Sequence, residues 1–555
     1  MTTRNHTITL LAIGLLFGLN AVGQERLPLS FSVRGRTADQ IPTKTLPPIP
    51  KKSPSVRADS RAPRYLKKLE FGSTVATRIS INTEGRADTV SSTIIHRIMV
   101  KSEGAKCLTL KLDVENSQGF DSQNIFVYNP TQTYVAHTLT KLTDHPSVVL
   151  PLVPGDCAVV EIERPMGSKA SFTISEVVHG DRLPLKGYDS EGDASEGCNV
   201  DVACPSGEGW QTEKNSIVKI VTNTAFSGVR LCSGVLVNNT ANNKRPYLLT
   251  AHHCITSKED AQNSVFYFGY EKRECGSNSI IQGKSISGAT LVASGYEGKI
   301  DFALLELSEA PPAEYAPYYA GWDIRKNPFT QPGATCLHHP NGDVKKITID
   351  NDPPTPGDYS EVDPFAGFDP NTHWHIARWE VGATEAGSSG SALFNSNHRV
   401  VGNLSGGIAT CDNPVDDYYS AIRSAWDGNP DPAYQLKKWL DPIVMGDSTI
   451  AGLSSQVTYV EGIDPKIVSV YPNPVGDGLI HIRVLPASDD DFKILDGTLV
   501  VSLYDISGRK IGTNTYIKPA EVFDYTLPTR HAGTYLLEIV AGGRRVVKKI
   551  VIGGM

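Results

Sequence analysis

The sequence predicts an all-β protein divided into several domains, and three observations carry that prediction. Runs such as Cys107-Leu-Thr-Leu-Lys-Leu-Asp-Val and Cys157-Ala-Val-Val-Glu-Ile-Glu alternate apolar and polar residues with the period of two that a pleated strand imposes. Between Cys198 and about Leu453 many more short runs are separated by Gly, Asn and Pro, and sustained helical spacing is confined to Ala433-Tyr-Gln-Leu-Lys-Lys-Trp-Leu. Length is the third: 555 residues exceed what one hydrophobic core usually organises, so about three domains are expected.

In chain order, residues 1–24 carry an apolar stretch from Ile8 to Leu19 and then Asn-Ala-Val-Gly-Gln, the pattern of a secretory signal peptide cut near Gly23. The stretch is shorter than the ~20 apolar residues a membrane span needs, and no later segment is apolar enough to cross. Residues 25–64, with Leu-Pro-Pro-Ile-Pro at 46–50, are expected to form an extended linker without a packed core. A small β domain spans about 65–180, where Cys107 and Cys157 could bridge two strands. Residues 181–197 are polar and glycine-rich, as an exposed, protease-sensitive junction would be. A large all-β domain follows over 187–455, its size suiting a sandwich or paired barrels, and a last unit over 466–555 reads as a compact β-sandwich.

A formal net charge of -7 without a long basic run argues against nucleic acid as a partner. Nine cysteines in a chain with a secretory leader point to disulfides, and the odd number leaves at least one thiol unpaired.

Three short sequences in the central domain carry chemistry: Leu249-Thr-Ala-His-His-Cys254, Asp301-Phe-Ala-Leu-Leu-Glu-Leu307 and Gly387-Ser-Ser-Gly-Ser391. Singly they would be a metal site, a strand and a flexible loop. In the order His, Asp, Ser they supply a base, a carboxylate that fixes its tautomer, and a nucleophile with backbone donors for an oxyanion. His253 is the base, because it directly precedes Cys254, with His252 a packing neighbour; Asp301 orients it, and Ser389 attacks. The amides of Gly387 and Ser389 form the oxyanion hole, with glycine at 387 so that no Cβ obstructs the substrate carbonyl or forbids the turn. The order matches the chymotrypsin-like serine proteases, which predicts a double β-barrel. No H-E-x-x-H motif, cofactor requirement or calcium loop is legible, no metal is expected, and His338-His339 is assigned to structure.

From about Cys198 to Leu440 the chain resembles the lysyl endopeptidases. The resemblance rests on Cys198-Asn-Val-Asp-Val-Ala-Cys-Pro-Ser-Gly, Cys232-Ser-Gly-Val-Leu-Val-Asn-Asn-Thr-Ala-Asn, Tyr247-Leu-Leu-Thr-Ala-His-His-Cys, Asp301-Phe-Ala-Leu-Leu-Glu-Leu, Ala320-Gly-Trp-Asp and Gly387-Ser-Ser-Gly-Ser. It implies a secreted endopeptidase that cuts on the carboxyl side of lysine through an acyl-enzyme, with disulfides Cys198–Cys411, Cys204–Cys275 and Cys232–Cys254 and with Cys336 unpaired. It also implies that Asp417 pairs with the substrate lysine, ahead of Asp416 and Asp412. Two departures keep arginine acceptance open: Ser405 stands where the family has a histidine beside the pocket, and the family's pocket tryptophan has no counterpart near Pro364–Phe368, where Phe365 or Phe368 would supply an aromatic wall. The rival outside the enzymes is a non-catalytic adhesin on the same scaffold.

Ser388 stands where vertebrate digestive relatives carry the aspartate that pairs with a newly cut N-terminus, so that ion-pair switch is absent and activation rests on removing 25–186 as a propeptide. Lys186-Gly187 is a lysyl bond the enzyme could cut itself. The last unit resembles the type A sorting domains of type IX secretion through Tyr471-Pro-Asn-Pro, Leu503-Tyr-Asp-Ile-Ser-Gly-Arg and Gly533-Thr-Tyr-Leu-Leu-Glu-Ile. That implies passage through the periplasm and outer membrane to the cell surface or medium, with the secretion machinery and basic-residue-containing proteins or peptides as partners. The enzyme itself is expected to be a monomer.

Overall fold

The computed structural model describes residues 27–32, 41–49, 69–120, 123–139, 147–184, 195–224, 228–454, 467–485, 498–505, 510–541 and 544–553. The signal peptide and Lys186-Gly187 lie outside them. The chain divides into two compact units, Met1–Ser455 and Gln456–Met555. Among the described residues the α-helices are only four or five residues long, and the all-β prediction holds.

In the first unit, seven strands run in the order Ile280–Ser287, Ser264–Lys272, Ile217–Thr224, Gly228–Leu236, Tyr247–Thr250, Ala303–Leu307 and Ala289–Ser294. The two ends of that order are one piece of chain, joined at Gly288 in the left-handed region at φ +81. This bend closes the sheet into a barrel. Val218, Ile220, Leu248, Phe266, Phe268, Ile286 and Leu305 fill it. A second sheet of eight strands forms the other barrel around Trp374, Ile376, Leu393, Val401, Leu404 and Tyr419. Between the barrels Val235, Tyr247, Leu249, Trp322, Leu337, Phe394 and Trp426 share a third core.

The strand Ile217–Thr224 is buried at every position. Alternation explains half of that, since Val218 and Ile220 point into the barrel. The outward residues are buried because the N-terminal β domain covers them: Val221, Val229, Leu231, Val265, Tyr267 and Tyr270 belong to the same core as Leu108, Leu110, Val148, Leu152 and Val177. Two strand pairings extend the join. Val135–Leu139 runs parallel to Ile280–Ser287 through Thr138 and Leu139, and Leu69–Phe71 runs antiparallel to Val229–Leu231.

Two expectations for this N-terminal region are corrected. Parts of the supposed linker are packed: Thr43–Thr45 adds in parallel to Met99–Lys101, Ile41 and Leu46 are buried, and the Ser30 hydroxyl donates to Glu161 at 2.6 Å. A proline-flanked segment is already extended, so it suits an open sheet edge once it carries apolar anchors. Cys107 and Cys157 do not bridge: Cys107 lies in a five-stranded sheet, its thiol meeting the Arg182 carbonyl at 3.1 Å, while Cys157 lies in the larger sheet.

The second unit stacks a three-stranded sheet (Val468–Tyr471, Leu479–Val484, Val522–Thr526) on a four-stranded one (Lys510–Ile517, Thr498–Asp505, Gly533–Ala541, Arg544–Ile552). Alternate residues such as Ile480 and Ile482, Leu499, Val501 and Leu503, and Leu537 and Ile539 face inward to form its core.

Candidate active site

His253 lies just beyond the strand Tyr247–Thr250, and Asp301 just before Ala303–Leu307, its pairing partner. The antiparallel ladder therefore delivers both to one end of the first barrel. Asp301 is fully buried and grips His253 twice: Oδ1 accepts the His253 backbone N–H at 3.0 Å, and Oδ2 lies 2.9 Å from Nδ1. A carboxylate in that position keeps the proton on Nδ1 and leaves Nε2 as the basic nitrogen. Burial alone would push the Asp301 carboxyl up, but the His253 charge and hydrogen bonds from His253 and Ser405 outweigh it and hold the carboxyl well below the ordinary range. Asn403 Nδ2 fixes the Asp301 carbonyl at 2.7 Å.

Ser389 belongs to the other barrel's loop and is brought to the first by Ser233, whose N–H donates to the Ser389 carbonyl at 2.8 Å and whose hydroxyl donates to the Gly387 carbonyl at 3.0 Å. His253 Nε2 is buried and holds no hydrogen bond, so the Ser389 hydroxyl is not bonded to it here. Gly387 has φ +92, and a Cβ there would stand 3.1 Å from the His339 carbonyl and 3.2 Å from the Gly342 amide. The left-handed φ and the closeness of the turn at 339–342 beneath the loop both call for glycine here. The Ala386 carbonyl accepts the Asn341 N–H at 2.7 Å. Across a trans peptide this turns the Gly387 N–H away from Asn341.

His338 and His339 are structural, as anticipated. His338 links Ser388 (2.7 Å) to Thr348 (2.9 Å), and His339 Nδ1 meets the Asp343 carbonyl at 2.9 Å. Ser388 is thereby a hydrogen-bonding brace under the nucleophile loop.

Asp417, on the strand Val415–Ala421, is fully buried; its Oδ2 accepts the Trp379 indole N–H at 2.8 Å and the Thr384 hydroxyl at 2.6 Å. Its Oδ1 lies against Gly407, where a Cβ would come within 2.4 Å. Asp416 faces elsewhere, pairing with His375 at 2.9 Å, and Asp412 is exposed. The structure puts Ser405 beside the His–Asp pair, where it helps to lower the Asp301 carboxyl, and 3.1 Å from His373 Nε2. Phe365 is 90% exposed, whereas Phe368 packs on Tyr359 and His373.

His373 is the residue that motif reading missed, its only signal being one of the two histidines in Thr372-His-Trp-His-Ile-Ala. Burial pushes it down to about 4, although Asp301 and Asp358 pull it upward, so it is a neutral partner for Ser405. The unfolded histidine titrates near 6.5, so the unfolded chain binds the extra proton between that pH and about 4. Stability is complete above the upper value and falls as pH drops through the window, by about 3 kcal/mol for this residue. His339, buried and lowered in the same direction, adds to it. Urea unfolding at pH 7 and pH 4.5 is expected to show this loss, reduced in His373→Gln; an identical loss in the variant would overturn the assignment.

Cys198–Cys411, Cys204–Cys275 and Cys232–Cys254 are disulfide-bonded, and Cys336 is a buried free thiol, pushed up to about 12 by burial and hence inert. Cys232–Cys254 ties the His253 loop to the strand that carries Ser233. Among the described residues, the carboxylates of Asp350, Asp352 and Glu380 lie within 4.8 Å of one another and could hold an ion, and nothing else points to one there.

The architecture is all-β with paired barrels, and the relatives it matches make the chain a secreted serine endopeptidase. Residues 192–420 match the family described as lysyl endopeptidase, C-terminal domain, and residues 469–553 match the secretion system C-terminal sorting domain. The chain is 26% identical over 388 residues to a lysyl endopeptidase of Pseudomonas aeruginosa, covering 66% of this chain and 81% of that one. The sorting domain directs the protein through type IX secretion to the cell surface or beyond, and among the described residues no helix is long and apolar enough to cross a membrane. Solved structures with a similar trace include the active form of the Rv3671c protease of M. tuberculosis (19% identity, 40% of this chain and 82% of that chain, TM-score 0.26) and a serine endoprotease of Yersinia pestis (14%, 62% and 96%, 0.27). Scores of this size carry no inference about this chain.

Proposed function

We propose that the enzyme cleaves peptide bonds on the carboxyl side of lysine, with Ser389 as nucleophile, His253 as general base and then acid, and Asp301 as its orienting carboxylate. The observation that carries the reading is the double grip of buried Asp301 on His253, through backbone N–H and Nδ1 together. In the first step the Ser389 hydroxyl attacks the carbonyl carbon while Nε2 takes its proton, and the amides of Gly387 and Ser389 receive the oxyanion. The imidazolium then returns the proton to the departing amine, leaving an acyl-enzyme that water hydrolyses through the same base.

Lysine selection rests on Asp417. A carboxylate this deep gains most from a cation on a long, slender chain, and an uncharged side chain would leave it uncompensated. Mass spectrometry of peptides cut from a mixed library by the matured protein is expected to find cuts after lysine that vanish in Ser389→Ala. Cuts after arginine as often as lysine would overturn the narrow specificity, and cuts that persist in the variant would overturn the mechanism.

A further inference from the structure

The strand Gly228–Leu236 has two neighbours on one of its edges. At its far end Val235 and Leu236 pair with Tyr247–Thr250, as the barrel requires. At its near end Val229, Arg230 and Leu231 lie beyond the reach of that strand, and Leu69–Phe71 from the N-terminal β domain pairs there, Phe71 opposite Val229 and Leu69 opposite Leu231. Phe71 is buried in one core with Val229 and Leu231, and Gly72, at φ +78 with its N–H on Asp181 at 3.3 Å, turns the chain back into its own domain.

That edge adjoins the reacting groups. Arg230 Nη1 donates to the carbonyls of His253 (3.2 Å) and Cys254 (3.0 Å); the next residues are Cys232, disulfide-bonded to Cys254, and Ser233, bonded to Ser389 and Gly387. With the acyl side of a substrate turned toward Asp417 on the second barrel, the residues after the cut bond must leave across the Cys232–Cys254 bridge onto the first barrel. The strand edge they would meet is Val229–Leu231, which no strand of the barrel pairs, and an extended peptide binds such an edge by adding a strand.

Resting on the triad reading above, we propose that the precursor is held inactive on its leaving-group side: residues 69–71 fill the edge that the substrate needs for the residues following the cleaved bond. The framework beneath is already in place, since the His253–Asp301 pair, all three disulfides and the left-handed Gly387 turn are present with the N-terminal domain packed on them. Inhibition then depends on what the substrate carries after the bond. Reagents that carry nothing there escape it. Because the blocking strand is tethered, its effective concentration is about millimolar or higher, and a free peptide competes poorly.

The test uses the full-length precursor, checked intact by gel, beside the matured protein. A small fluorophosphonate is expected to label Ser389 in both at rates within about threefold, and an acyl-lysine thioester with a non-peptide leaving group should be turned over by both. A quenched peptide extending several residues past the lysine should be cut by the precursor at least about 100-fold more slowly. Glu70→Pro, which removes an N–H and fixes φ away from the strand value, should restore much of that loss. A precursor that cuts the extended peptide as readily as it turns over the thioester overturns the proposal. So does a precursor that resists the fluorophosphonate while the matured protein reacts, because the site would then be unformed rather than covered. If the matured protein also fails to react, the triad reading itself falls.

Discussion

Replacing Ser389 with alanine is expected to lower kcat on a lysyl peptide by about a millionfold, and Asp301→Asn by about ten-thousandfold, with the fold of each retained. The two numbers differ for a reason visible in the site. Without the Ser389 hydroxyl no acyl-enzyme can form, and only binding and the oxyanion donors remain. With asparagine at 301 the nucleophile and base persist, but an amide presents both a donor and an acceptor, and a donor facing Nδ1 stabilises the tautomer whose Nε2 carries the proton. The base is then held in the form that cannot accept. The His253 backbone N–H on Oδ1 holds the side chain of residue 301 in place and leaves the amide nitrogen facing Nδ1, so the tautomer rather than collapse dominates. Single-turnover kinetics with an ester and an amide of the same acyl-lysine provide the check. A fall of less than about tenfold for Asp301→Asn would mean that another group orients His253.

Much of this was legible because the chemistry is carried by short segments. Thr250-Ala-His-His-Cys254 and Gly387-Ser-Ser-Gly-Ser391 each place a reactive side chain beside the residue that fixes it, a cysteine in one case and a turn glycine in the other. The unread features depend on pairings between distant segments. In Ile217-Val-Lys-Ile-Val-Thr-Asn-Thr, Lys219 reads by alternation as a solvent-facing residue of a barrel strand. Its ammonium is in fact buried, donating to the Pro184 carbonyl at 2.5 Å and the Gly342 carbonyl at 2.7 Å, because another domain covers that face. Nothing local to residue 219 encodes the cover. Cys107 and Cys157 present the converse case. Their alternating strands resemble one another in sequence, yet hydrogen-bond register assigns them to different sheets, and their spacing could not reveal it.

Ser405 shows how a site residue can be found for the wrong reason. The resemblance puts Ser405, within Gly402-Asn-Leu-Ser-Gly-Gly, beside the pocket. In a strand, consecutive side chains point to opposite faces, so one residue decides between the pocket and the floor of the cleft. A register shift between Leu404 and Gly406 lies at this point of the strand Val400–Gly407, and Ser405 sits within it, 3.1 Å from His373 Nε2. A local irregularity of this kind cannot be located from residue types alone.

Asp417→Asn is expected to lower kcat/KM for lysyl substrates by roughly 100- to 10,000-fold, the range that about 3–5 kcal/mol of lost charge pairing gives in a buried setting. The substitution is chosen because asparagine retains an acceptor for Trp379 and Thr384, which hold Oδ2 at 2.8 and 2.6 Å, so the pocket wall keeps its supports. Asp417→Ala would remove those acceptors from a fully buried site and confuse lost recognition with lost structure. For an acyl-norleucine ester, which has the length of lysine without its charge, the same variant should lose little or gain. The ratio of the two substrates is therefore the diagnostic quantity, since damage to the triad would lower both together. Equal losses on the two would detach lysine recognition from Asp417 and pass the role to Asp416, whose half-exposed carboxylate already pairs with His375.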